Sequence, residues 1–414
     1  MHKWKFGAVA VTAGVALSLT APAVANAGPP SATYVSTTGK STNSGHGCGS
    51  AKYASINAGV AATPAWGTVI VCPGTYKEDV QIAKPLRVIG WGATLNAAGR
   101  ENAIWIVSSH VAVTGLTVKN ANGEGLLAGA DTQADGALLP PGLVLTDIRV
   151  DHVNALSNDK GFNGTESGNC KYPGDCGGGI HFNVVSWSTV SYSHVNGNAD
   201  GILLTDDYGP NFRNYIVNNV VTDNKTECGI VLASHASNAV TFNPTTFVVT
   251  KRNPSKGGLY DNVVLGNTSL RNGTALAPPK FGGGGSGSGI GIFGSGPGSA
   301  AYNNLVSGNY AAGNGLAGFT IHAHHPGGED VNGNKVINNV FGTNNVGGDG
   351  YDGPPVTDYK TTGIAVFSVP PVSMVITGNK ISNNAIGIWL SKTVNAQGLA
   401  SNSYSNVTTK VVRG

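Results

Sequence analysis

The chain has 414 residues, with 25 Lys and Arg against 22 Asp and Glu, for a formal net charge of +3. A balance this close to neutral gives no electrostatic basis for binding nucleic acid or a membrane surface, which requires clustered positive charge. Only 11% of residues are charged while 61 are glycine. That composition suits tight turns and short strands, and the β-branched segments recur too regularly for low-complexity disorder.

The N-terminus reads as an export signal. His2-Lys3-Trp4-Lys5 is basic, Phe6 to Leu19 is apolar, Pro22 breaks the run, and Ala25-Asn26-Ala27 is a small-x-small cleavage site. Removing residues 1–27, with two lysines and no acid, leaves a charge of about +1. No later apolar run is long enough to span a bilayer, so the expected localisation is secreted. Residues 28–66 form an N-terminal cap, with a short amphipathic helix over 53–62 covering the open apolar end. Coils run over 67–399 and a closing segment over 400–414, within one domain.

The coils carry an asparagine rhythm. Asn214, Asn219 and Asn224 are five residues apart, as are Asn262, Asn267 and Asn272, then Asn304, Asn309 and Asn314, then Asn334, Asn339 and Asn344, and finally Asn379 and Asn384. Asparagine tolerates left-handed backbone and bonds its own backbone, so each is expected where the chain bends, stacked in ladders. Strands begin after glycines at Gly179-Ile180, Gly201-Ile202, Gly229-Ile230, Gly289-Ile290, Gly318-Phe319 and Gly363-Ile364. The glycine spacings, closing at Gly387, are 22, 28, 60, 29, 45 and 24. A coil of 22–24 residues with loop insertions accounts for all of them, and such a repeat specifies a solenoid.

These repeats, with Tyr34-Val35-Ser36, Tyr53 to Val60, Gly67 to Tyr76 and Lys84 to Gly90, resemble the right-handed parallel β-helix superfamily, the pectin-lyase-like fold, and within it NosD-type secreted repeat proteins. The resemblance covers roughly residues 32–410. It implies an all-β, single-domain right-handed parallel β-helix solenoid. The superfamily includes lyases, glycoside hydrolases, epimerases, esterases, adhesins and copper-site accessory proteins, so fold alone does not choose an activity.

Five cysteines in an exported chain suggest disulfides. The expected pairs are Cys48–Cys72 at the cap and Cys170–Cys176 in a short loop, with other pairings left open by spacing, and Cys228 a buried free thiol. Insertions at 132–141, 157–176, 236–260, 273–288 and 343–361 flank the Gly-Ile strands and are expected to wall a groove.

Period-two alternation defines outward columns on that face. The third residue after each Gly-Ile pair gives Asn183, Thr205, Ala233, Phe293, His322 and Phe367. The fifth gives Val185, Asp207, His235, Ser295, His324 and Val369, and Asp131 joins it from an earlier coil. Asp207, His235, His322 and His324 are the expected acid–base residues. Asp131, Asn183, Thr205, Tyr208, Lys251, Arg252, Phe293, Ser295 and His325 are the expected substrate contacts, and Tyr351 and Tyr359 add rim aromatics.

Asn198-Ala-Asp200, Asp206-Asp207, Ser234-His235 and Lys251-Arg252 follow the order of a polygalacturonase-type pattern. They depart from it in spacing and lack its Gly-His-Gly. Hydrolysis would pair Asp207 with Asp131 or Asp200; elimination would use His235 or His324 as base and Lys251 or Arg252 to neutralise a carboxylate. No cofactor is called for, with Ca²⁺ at Asp349, Asp352 and Asp358 the alternative to simple solvation of that loop. The expected partner is an extracellular polysaccharide or oligosaccharide, and the oligomeric state is monomer or trimer. The rival readings are a non-catalytic glycan- or surface-binding protein and a NosD-like metal accessory protein.

Overall fold

The computed structural model describes residues 32–130, 139–140, 142–159, 178–275, 286–348 and 360–414. Residues 1–27, Asp131, Cys170, Cys176, Asp349, Tyr351, Asp352, Asp358 and Tyr359 lie outside the described residues.

The chain winds as a right-handed parallel β-helix. One stack is a 12-stranded sheet running from Ala32–Val35 to Val394–Gln397. Two further stacks, the Gly-Ile strands and the short strands that precede them in each coil, merge through Lys380–Leu390 and Ser403–Arg413 into one 20-stranded sheet. A small 5-stranded sheet fills the corner after the Gly-Ile strands. The hairpin Val240–Phe242 with Val249–Arg252 is antiparallel and stands off the coil.

Inward positions form one continuous core. Ile180, Ile202, Ile230, Ile290, Phe319, Ile364 and Ile388 stack coil upon coil, fully or almost fully buried. Burying each such side chain contributes about 1.5–3 kcal/mol. The glycine before each has a packing cause: a Cβ on Gly201 would collide with the Gly229 carbonyl and the Val221 side chain. Only a residue without a side chain lets adjacent coils approach there.

The asparagine ladders are present but work differently from the expectation. Asn219, Asn267, Asn309, Asn339, Asn379 and Asn402 form one ladder. From Asn267 onward each Oδ1 accepts both the backbone N–H and the Nδ2–H of the preceding coil's asparagine, as Asn309 does from Asn267 at 2.8 and 3.0 Å. The left-handed residue is the one before, for example Asn218, Gly266, Gly308, Asn338 and Gly378. The ladder asparagines are buried because they satisfy corner backbone groups that no strand can pair.

At the N-terminal end, Ile56–Ala62 is the capping helix, placing Ile56 and Val60 on the core. Ser55 caps it through Oγ, and the Glu78 carboxylate accepts from Ile56 N and Asn57 N at 2.6 and 3.0 Å. Cys48–Cys72 is a disulfide, and Cys228 is a free, buried thiol. At the other end Ser403–Arg413 pairs along Lys380–Leu390, adding a final parallel strand.

Candidate active site

Register places the outward columns of the Gly-Ile sheet. Asn183, Thr205, Ala233, Phe293, His322 and Phe367 are successive Cα partners. Beyond this column the chain turns, and Asp207 and His235 meet: Asp207 Oδ1 lies 2.8 Å from His235 Nδ1. Both side chains are partly exposed, 20% and 30%.

A buried polar chain stands behind this pair. Thr205 Oγ1 donates to Asp207 Oδ2 at 2.6 Å, and His181 Nε2 lies 2.9 Å from the same hydroxyl. His181 Nδ1 lies 2.7 Å from Glu124 Oε1, while Glu124 Oε2 accepts from Gly178 N at 2.6 Å. Burial raises the Asp207 carboxyl, but the hydrogen bond and charge of His235, the Thr205 hydroxyl and the charge of His181 outweigh it and bring it down to about 2. Asp207 is therefore a fixed anion that orients His235. With Nδ1–H on Asp207, a neutral His235 carries its lone pair on Nε2.

Asp206 faces the opposite way and is fully buried. It accepts from Ser234 Oγ, His235 N, Ala236 N and Gly258 N at 2.8, 2.6, 3.1 and 2.6 Å. Burial pushes its carboxyl up against these four donors. One carboxylate thus ties the His235 backbone to both ends of the excursion carrying the hairpin. A second raised carboxyl, Asp159, is pushed up to about 8 by burial and then by the charge of Glu124.

The other expected residues separate into groups. His322 is buried, 5% exposed, between Phe293 and His324, with ring centroids 5.0 and 5.4 Å away. His324 is exposed and packs against Phe367 at 4.9 Å. These rings form a strip that reaches Trp389. The Phe293 ring lies over Gly291 and joins Leu203, Cys228, Val231 and Ala233 in an apolar cluster on the outer face. Ser295 is exposed and donates to Ser234 O at 2.5 Å. His325 Nδ1 is 3.2 Å from Glu329, whose carboxyl burial raises. Asn183 is fully buried and donates to Ala130 O. Tyr208 and Lys251 are exposed. Arg252 is engaged elsewhere: Nε is 2.6 Å from Asp330, and the guanidinium lies 3.9 Å from the Tyr302 ring centroid.

Sequence reasoning missed Glu124 and His181. The signal for His181 was available. The residue after each Gly-Ile pair also points outward, giving Leu203, Val231, Gly291, Thr320 and Ala365 in the later coils. A histidine in that otherwise apolar or small column is an exception. Glu124 sits in a turn and becomes a partner only through coil stacking. Among the described residues no cluster of three or more metal-ligating side chains occurs.

The sequence matches no protein-family model and no curated protein. Solved structures similar to the chain include a lacto-N-biosidase from Eubacterium ramulus, at 11% identity and TM-score 0.53 over 91% of this chain and 68% of that one. Pectate lyase Pel9A aligns at 13% identity and TM-score 0.48, over 92% and 78%. The A-module of the Azotobacter vinelandii mannuronan C-5 epimerase AlgE4 aligns at 13% and 0.41, over 84% and 89%. The lacto-N-biosidase likeness shows a shared fold.

Proposed function

We propose that this chain is an exported β-helix enzyme that acts on a polysaccharide along the outer face of the Gly-Ile sheet. His235 transfers the proton and Asp207 holds it in place. The observation that carries this reading is the 2.8 Å Asp207–His235 contact, backed by Thr205, His181 and Glu124. An oriented histidine beside a permanent anion is the arrangement general acid–base chemistry requires. The Cys48–Cys72 disulfide is compatible with export.

Asp207 has both oxygens engaged, by His235 and Thr205. That suits an orienting role better than a glycosidase carboxylate acting directly on substrate. Proton abstraction by His235, leading to elimination from a uronic acid, is therefore the leading chemistry, and hydrolysis is the second. A non-catalytic glycan-binding role is favoured by one observation, the ring strip from Phe293 to Phe367, of which Phe293, His324 and Phe367 reach solvent.

The test is activity of residues 28–414 on uronic-acid and neutral polysaccharides, reading unsaturated product and reducing ends together. Both signals rising and vanishing in His235→Ala means a lyase; reducing ends alone means a hydrolase. Binding without turnover would shift the assignment to the non-catalytic role.

A further inference from the structure

A second feature lies away from the Gly-Ile face, on the corner between the 12-stranded sheet and the short strands. Each coil turns there through one left-handed residue: Gly115, His152, Tyr192, Asn218, Gly266, Gly308, Asn338 and Gly378. Six of these eight are glycine or asparagine, which accept positive φ readily. The other two are rings, His152 and Tyr192, with φ of 51° and 47°. Trp66, His110 and Trp187 also hold positive φ, so this backbone positions the two rings without itself marking a site.

The two rings stack on each other, with centroids 5.3 Å apart and planes 20° apart. His152 is itself fixed: Nδ1 lies 2.7 Å from Asp151, which accepts from Ser191 Oγ at 2.7 Å. The stack then stops. The next coil places the small Asn218 where a third ring would lie, and an open cleft of about 420 Å³ remains. Its lining is His152, Tyr192, Ser193, His194, Asn218 and Val220. Tyr192 is 56% exposed. His194 and Asn218 are exposed.

We infer that this cleft binds one pyranose ring of a neutral glycan, stacked on Tyr192 as the next member of the His152–Tyr192 pile. A pyranose presents an apolar C–H face and a rim of hydroxyls. The tyrosine ring matches the first, and the His194 imidazole and Asn218 amide match the second. The lining contains no Lys or Arg, so it offers no permanent positive charge to a phosphate or a uronate. The cleft is open to solvent, so a chain can continue past the bound ring. This inference is independent of any catalysis on the Gly-Ile face.

The test is affinity electrophoresis of residues 28–414 through gels containing xylan, galactomannan, mixed-linkage β-glucan or soluble starch, with Tyr192→Asn as the key variant. Asparagine is the residue this corner already uses at Asn218 and Asn338, so the variant keeps the fold, and its thermal midpoint should equal or exceed that of the parent. At least one gel should retard the parent, and Tyr192→Asn should weaken that retardation at least ten-fold, while His235→Ala leaves it unchanged. The inference is overturned if no neutral glycan retards the parent, if Tyr192→Asn binds as the parent does, or if His235→Ala abolishes binding.

Discussion

Thr205 donates its single hydroxyl hydrogen to Asp207 at 2.6 Å, and this forces His181 Nε2, 2.9 Å from the same oxygen, to be a donor as well. With Nε2 carrying a hydrogen, the 2.7 Å contact between His181 Nδ1 and Glu124 holds one further proton between imidazole and carboxylate. Three buried groups are thus locked into one hydrogen-bond direction that ends on Asp207.

Thr205→Val tests that lock. Valine matches the shape but leaves the His181 N–H without an acceptor and removes one donor from Asp207. Burying an unsatisfied donor costs about 1–3 kcal/mol. Urea denaturation should show a loss in that range, and the Asp207 carboxyl, followed by NMR, should move up from about 2 toward 3.8. Unchanged values of both would mean that the chain does not act on Asp207.

Acid stability follows from the same residue. Asp207 titrates ordinarily at 3.8 and sits at about 2 in the fold. A depressed folded value means that the ionised form stabilises the fold. That contribution is fully present above pH 3.8 and is lost as pH falls through 2. It amounts to about 2 kcal/mol at neutral pH. Asp207→Asn should therefore be less stable than the parent at pH 6, and the gap should close progressively between pH 4 and pH 2.

Much of this was legible beforehand, and for a definite reason. Strand side chains alternate with period two, and every Gly-Ile pair fixes the count, so Thr205, Phe293 and His322 fall in one column by arithmetic alone. What escaped depends on contacts between coils. Glu124 and His181 are 57 residues apart and meet only because two coils stack. The burial of His322 comes from Phe293 and His324 folding against it, which spacing cannot express. Arg252 reads as a free cation in sequence, but its partner Asp330 is 78 residues away.

The cap offers a separate test. Cys48 and Cys72 close a loop with a sequence separation of 24. Loop-closure entropy for that length gives a stabilisation of about 3 kcal/mol. Cys72→Ala should lower the unfolding free energy by about that amount, and amide exchange should quicken first in Ile56–Ala62, the helix covering the apolar end. Uniform acceleration along all coils would instead show that the cap and solenoid unfold as one unit.

The ladders predict opposite outcomes for two adjacent asparagines. Asn338 is exposed, with φ of 56°, at a corner where other coils carry glycine. Asn338→Gly keeps the left-handed turn and should change stability by less than about 0.5 kcal/mol. Asn339 is fully buried. Its Oδ1 accepts from Asn309 N and Nδ2, both at 2.9 Å, and its Nδ2 donates to Val306 O and Asn379 Oδ1, both at 3.0 Å. Asn339→Ala strands the Asn309 donors and the Val306 carbonyl in the core, while Asn379 still accepts the backbone N–H of residue 339. Several unsatisfied groups together should cost roughly 3–5 kcal/mol. Chemical denaturation of the two variants side by side checks the pair. Similar losses would mean that corner geometry, rather than the hydrogen-bonded ladder, holds adjacent coils in register.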